Sequence, residues 1–309
     1  MSAALLAAEL ILILLVGFLA RKIGIIGAEF NRQVSSFVMK IALPCMIVDS
    51  MNVEISAAQL KNCGWILATS AAVLLLSFAV GWILSRLLGK RLPARILRFG
   101  MMYSNFNFFG LVVVENLGGA ELLFYYLIYI IPVRISIYVL AKVMLTPPAE
   151  DREKMTWKAR LKLVISPPLV AVFIGLGLSF LHVRVPAVLQ YGLDTLGGLA
   201  APLGILLCGS TLGGFPVKQM ITPRSLTLSL LRNFFMPFLI FGLCRLFALP
   251  ELLTRMAVVY SALPVASLLG TYVLQYDPSP EAHLDSAGFV FVSTLLSAVS
   301  LVLFVSLLQ

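Results

Sequence analysis

The chain has 309 residues, of which 60% are hydrophobic and 12% charged, and its mean hydropathy is +1.00. Soluble domains carry about 25% charged residues, so this chain lacks the charge to cover a water-exposed surface, and much of its surroundings must be lipid. Its net charge of +9 has no aromatic-basic motif beside it that would suit nucleic acid, and is read instead as the basicity of cytoplasmic loops.

A helical span needs about 20 mainly apolar residues. Ten such stretches are read in chain order, at roughly 3–21, 33–51, 63–87, 96–114, 121–143, 162–181, 190–212, 222–247, 253–275 and 285–308. The first has no basic residues before it and Arg21 and Lys22 after it, the pattern of a membrane span and not of a cleavable signal. One strongly polar connection, around Thr146–Lys162 near the midpoint, divides the chain into 1–145, a linker 146–161 and 162–309. Trp157 could anchor that linker at the membrane surface. The connections after spans 1, 3, 5, 7 and 9, with their flanking turns, hold 16 Lys and Arg, and the others hold 4. By the positive-inside rule the odd connections are cytoplasmic and both termini lie outside a cell membrane.

The two halves resemble each other. Pro44 in span 2 matches Pro202 in span 7 at an offset of 158; Arg98 with Tyr103-Ser104 matches Arg255 with Tyr260-Ser261; and Ser85-Arg86-Leu87 matches Cys244-Arg245-Leu246. Five spans per half invert the second half relative to the first. The expected fold is therefore an all-α membrane protein of ten transmembrane helices in two inverted five-helix repeats. Inverted repeats characterise secondary transporters, whose sites form where spans are interrupted at matching positions. The fourth and ninth spans are those candidates, crossed at the midplane. The fourth carries Ser104, Asn105 and Asn107 ahead of Gly110; the ninth carries Ser261 and Pro264. Polar side chains and a missing amide are tolerated at that depth only inside protein or beside water. The same residues also suit plain kinks or interhelical hydrogen bonds, as do Pro44 and Pro202.

Three cations, Lys40, Arg134 and Arg232, fall inside spans. Lys40, near an inner end, can snorkel. Arg134, Arg232 and the adjacent Asn233 are candidate contacts for an anion; the alternative is pairing with helix carbonyls or a carboxylate. Glu9 is the only acid well within a span, while Asp49, Glu115, Asp194 and Asp285 lie near span ends, so the coupling ion, Na+ or H+ or none, stays open. Four cysteines without metal or redox spacing, two histidines at span ends and no nucleophile or phosphate-loop motif argue against an enzyme or a bound cofactor.

With these residues in order, the sequence resembles the auxin efflux carrier family and is similar in architecture to the bile acid–sodium symporters. The likeness rests on Leu43-Pro44, on Ser104-Asn105 through Gly110-Leu111, on Ala201-Pro202-Leu203 with Gly209, on Arg232 with Pro237, on Leu263-Pro264-Val265-Ala266, and on Ser293-Thr294-Leu295-Leu296-Ser297. Val112 stands where the family often has proline, which leaves Asn and Gly to bend the first crossover. The resemblance implies a carrier of a small organic anion such as a carboxylate. It also implies an elevator-like motion of spans 3–5 and 8–10 against a scaffold of spans 1, 2, 6 and 7, with a scaffold-mediated homodimer. A sodium-coupled symporter of a larger amphipathic acid is the alternative; a membrane sensor would need a soluble output module for which no segment is long enough.

Overall fold

The computed structural model describes residues 3–51, 57–89, 91–147, 167–181, 183 and 185–308. The expected linker and Trp157 lie outside the described residues, apart from 146–147. Among those described the chain is all helix, with a single isolated β-bridge. Five helices are long and apolar enough to cross a membrane: Lys61–Leu88, Phe108–Ile137, Ala187–Gly213, Pro223–Leu246 and Pro280–Leu307. The second, fourth and ninth apolar stretches are interrupted, because specific residues cut them.

In order, α1 is Ala3–Lys22, α2 Ala28–Phe37 and α3 Leu43–Met51, with a π turn at Val38–Ala42 joining the last two. α4 is Ala57–Leu88 and α5 Ala94–Met102, and α6 runs Phe108–Leu145. α6 contains a kink at Gly118 and Gly119, where Gly119 has φ 62°, a backbone that only glycine adopts without strain. The expected boundary between spans 4 and 5 therefore falls on a Gly-Gly kink. After the undescribed segment come α7 (Pro167–Phe180), α8 (Ala187–Gly198), α9 (Ala200–Gly213), α10 (Val217–Met220) and α11 (Pro223–Leu230). A π turn at Leu231–Phe235 leads into α12 (Met236–Leu246), followed by α13 (Glu251–Ala262), α14 (Leu268–Tyr276) and α15 (Pro280–Leu307).

Both π turns end two residues before a proline. Leu43 N–H donates to Val38 O in the first, and Met236 N–H to Leu231 O in the second. Pro44 and Pro237 have no amide to give to the carbonyls of Lys40 and Asn233, and their rings would collide with those carbonyls in a straight α-helix. Widening the preceding turn by one residue relieves the collision. Pro202 has a milder effect: α8 and α9 follow one another through Leu199, which keeps helical dihedrals at φ −75° and ψ −20°.

Packing divides the helices into two groups. In the first, α1 lies along α9, and α3 sits against α7 and α8. The α1–α9 approach is close because its seam is glycine: a Cβ on Gly17 would lie 2.1 Å from Leu206 O, and one on Gly209 1.9 Å from Leu14 O. Gly209 and Gly213 are four residues apart, the small-residue spacing that lets membrane helices meet backbone to backbone. In the second group, α4 packs on α5 and α6, α12 on α13, and α15 on α11 and α14. The groups meet where α15 crosses α1 and where α6 touches α9, with the Phe108 ring laid over Gly204.

Candidate functional site

Two short non-helical segments cross at the centre of the second group. The first, residues 103–107, separates α5 from α6; the second, residues 263–267, separates α13 from α14. Pro264 sets the second break, because the residue before a proline is driven out of the helical region. Leu263 accordingly has φ −63° and ψ 152°. The first break needs no proline. Tyr103 is extended at φ −116° and ψ 118°, and Val112 lies well inside α6.

The breaks satisfy each other's backbone. Ser104 and Val265 form an antiparallel bridge; Asn105 N–H donates to Pro264 O at 2.8 Å, and Ala266 N–H to Tyr103 O at 3.0 Å. The carbonyl ends of α5 and α13 take side-chain donors. Tyr260 Oη–H donates to Met102 O at 2.9 Å, Arg232 Nη1 to Met101 O at 2.9 Å, and Ser300 Oγ–H to Ala262 O at 3.1 Å. Ser104 Oγ–H donates to Tyr260 O at 2.5 Å and itself accepts from Arg232 Nη2. Tyr126 Oη–H reaches Phe106 O at 3.2 Å, and Ser293 Oγ accepts from Val265 N–H at 3.3 Å. Each lone helix-end carbonyl or amide satisfied here would otherwise carry a desolvation penalty of about 1–3 kcal/mol.

Beside the crossing is a cavity of about 240 Å³. Its wall contains Asn107 and Phe108, which begin α6, and Ser267 and Leu268, which begin α14, together with Ser104, Asn105 and Phe106. Ser35, Met39 and Tyr272 close it from α2, the first π turn and α14. Among the described residues no acid lines it. Helix N-termini present amide hydrogens and a positive dipole end, and neither Asn107 nor Ser267 caps its helix with its own side chain. Asn105 Oδ1 accepts from Phe108 N–H at 3.3 Å, and its Nδ2 reaches Cys208 Sγ of α9 at 3.6 Å.

Arg134, 1% exposed, donates to Asn107 Oδ1 at 3.0 Å. A guanidinium only donates, so this contact fixes the Asn107 amide with Oδ1 toward Arg134 and leaves Nδ2–H₂ as its donor.

Of the residues singled out in the sequence, Ser104, Asn105 and Asn107 line the cavity, while Arg134 and Arg232 stand one hydrogen bond behind it. Ser261, Pro264, Asn233 and Lys40 do neither. Ser261 is in the last turn of α13, with Oγ–H on Val258 O at 2.9 Å. The Tyr-Ser match between halves therefore pairs an extended segment with a helical one, because Pro264 places the second break three residues later than the match implies. Pro264 gives the crossing its carbonyl. Asn233 donates to Ser293 O at 3.0 Å and Ser300 Oγ at 3.3 Å, tying the second π turn to α15. Lys40 is exposed. Ser35, Met39, Ser267, Tyr272 and Tyr126 were not singled out. Only Ser267 had a usable sequence signal, as a serine just before the apolar run of a half-helix.

A model of the membrane transport protein family matches residues 4–305. The chain belongs to the auxin efflux carrier family. A comparison with curated proteins gave no match. As a member of this family the protein is a multi-pass membrane transporter, and its crossing gathers the buried polar residues Ser104, Asn105, Asn107 and Arg232.

Proposed function

We propose that this auxin efflux carrier family member is a secondary active transporter for a small organic anion, and that the crossing is its binding site. The carrying observation is the cavity wall: the N-termini of two half-helices, the Asn107 Nδ2 donor backed by Arg134, and no acid among the described residues. Fixed donors and positive dipole ends in a low-dielectric setting favour a carboxylate over a neutral or cationic solute. The volume supports the small-anion reading over an amphipathic acid of steroid size, since drug-sized ligands fill about 300–1,000 Å³.

In this reading the chain is two inverted five-span repeats. The proline-disturbed helices α2–α3 and α8–α9 are counterparts, as are the broken pairs α5–α6 and α13–α14. Asn105, Asn107 and Ser267 contact the substrate, and Arg134 orients Asn107; Arg232, Asn233 and Pro264 hold the crossing in shape, and Ser261 packs α13. The cavity lies between the glycine-seamed group and the crossing group, bounded by Ser35 and Met39 on one side and Asn107 and Ser267 on the other. That placement suits elevator-like alternating access in the cell membrane. In this reading the basic loops are cytoplasmic and the cavity opens toward them, an inward-facing state with both termini outside.

The test is a thermal-shift screen of purified protein against small carboxylates and indole acids, followed by uptake of any stabilising anion into proteoliposomes. Stabilisation and saturable uptake of a small carboxylate are expected. A folded sample that responds to no anion, but to a neutral or cationic solute, would overturn the assignment.

A further inference from the structure

The polarity of the crossing is split. The N-termini of α6 and α14 border the cavity, and the C-termini of α5 and α13 meet at Arg232. Each C-terminus carries about half a negative charge. Three oxygens, Met101 O, Tyr260 O and Ser104 Oγ, converge there. Half-helix C-termini with unwound carbonyls are the kind of oxygen set that holds a coupling Na+ in broken-helix transporters.

Here that set is already occupied by a side chain. Arg232 is 0% exposed and reaches Met101 O at 2.9 Å and Tyr260 O at 3.4 Å, with Ser104 Oγ between them. Among the described residues no carboxylate pairs with it. The guanidinium keeps its charge at any physiological pH, and the π turn before Pro237 carries it. Its positive charge is thus balanced by two helix ends and not by an acid. A second, mobile cation at the same oxygens would meet both the guanidinium volume and its charge.

We propose that Arg232 is a tethered cation standing where a coupling ion would bind, so that the crossing needs no sodium or other small cation to be assembled. Resting on the anion-carrier reading, it follows that anion movement through this site is not driven by a cation bound at the crossing. The position of Arg232 also gives Ser104 its role, as the hydroxyl that passes a hydrogen bond from the guanidinium to Tyr260 O.

The experiment measures melting temperature without substrate, in choline chloride and in NaCl, LiCl and KCl of equal ionic strength, for the full-length wild type, Arg232→Lys and Arg232→Ser. Wild type and Arg232→Lys should agree within about 1 °C across the salts, while Arg232→Ser, which vacates the oxygens, should gain about 3 °C or more with one small cation over choline. Wild-type uptake of the stabilising carboxylate should change by less than about twofold when choline replaces sodium, a negligible free-energy difference. Selective stabilisation of the wild type by sodium, or sodium-dependent uptake, would overturn the proposal even if Arg232→Ser fails to fold. A folded Arg232→Ser that is indifferent to every cation would overturn it too. If no anion is taken up in any salt while the melting pattern is as expected, the anion-carrier reading fails and the assignment of Arg232 stands.

Discussion

At the scale of single residues, the site depends on which donors are already used. Asn107 is held by Arg134 through Oδ1, so two substitutions separate its binding role from a structural one. Asn107→Leu removes the Nδ2 donor and also the Oδ1 that accepts from the buried Arg134. It should weaken the dissociation constant for the anion by about tenfold or more, equivalent to about 1.4 kcal/mol, with a stability loss of about 1–3 kcal/mol. Asn107→Asp strengthens the contact with Arg134 by making it an ion pair, and places a negative charge in the cavity wall. Thermal stability should hold while anion binding, followed by isothermal calorimetry, is lost. Unchanged affinity in both variants would make Asn107 a packing residue. The sequence pointed to Asn107 and Arg134 separately, as polar groups too expensive to face lipid. It could not pair them, because they stand 27 residues apart on opposite sides of a kink, and only the turn at Gly118–Gly119 brings the helix back.

At the scale of elements, proline placement explains the interruptions better than composition does. Each of Pro44, Pro202 and Pro237 follows a disturbed turn, and Pro264 extends Leu263. The locations of these disturbances were legible from the residues, since a missing amide and a ring clash act locally. Their form was not: the same cause gives a π turn at Pro44 and Pro237 and only a local irregularity at Leu199, within a continuous helical path, before Pro202. The neighbours of each carbonyl decide which. Pro237→Ala returns an amide to the carbonyl of Asn233 and allows an ordinary α turn. Losing the extra residue of the π turn would rotate Arg232 relative to α12 by about 100°, away from Met101 O and Tyr260 O. Helical content by circular dichroism should stay near wild type, while transport should fall by about tenfold or more, the effect of roughly 1.4 kcal/mol. Full transport in Pro237→Ala would show that the π turn does not position Arg232. The Tyr-Ser correspondence between halves failed at this scale, because a match of side chains does not fix where a helix stops.

For the whole molecule, the seam between α1 and α9 and the cavity between the two groups make separate predictions. Gly209→Leu forces a side chain onto the Leu14 carbonyl and should destabilise the protein by about 1–3 kcal/mol or more, seen as a lower melting temperature in detergent. A wild-type melting temperature would mean that the helices separate there without loss. For the cavity, a single cysteine at Ser35 or Tyr272 in an otherwise cysteine-free protein should react with a membrane-impermeant thiol reagent only from the side of the basic loops. Bound anion should slow that reaction. Labelling from the opposite side would reverse the proposed orientation.

The sequence alone determined that this is a helical membrane transporter and roughly where its spans are cut. Hydropathy, charge and proline act through local chemistry that each residue carries with it. Which face of each helix turns inward was decided only by tertiary structure. In lipid a helix is apolar all round, so the periodic stripe that marks the buried face of a soluble helix is absent. That is why Arg232 could be recognised as buried from its residue type, while its placement on two helix C-termini, with the N-termini left to the cavity, required the folded crossing.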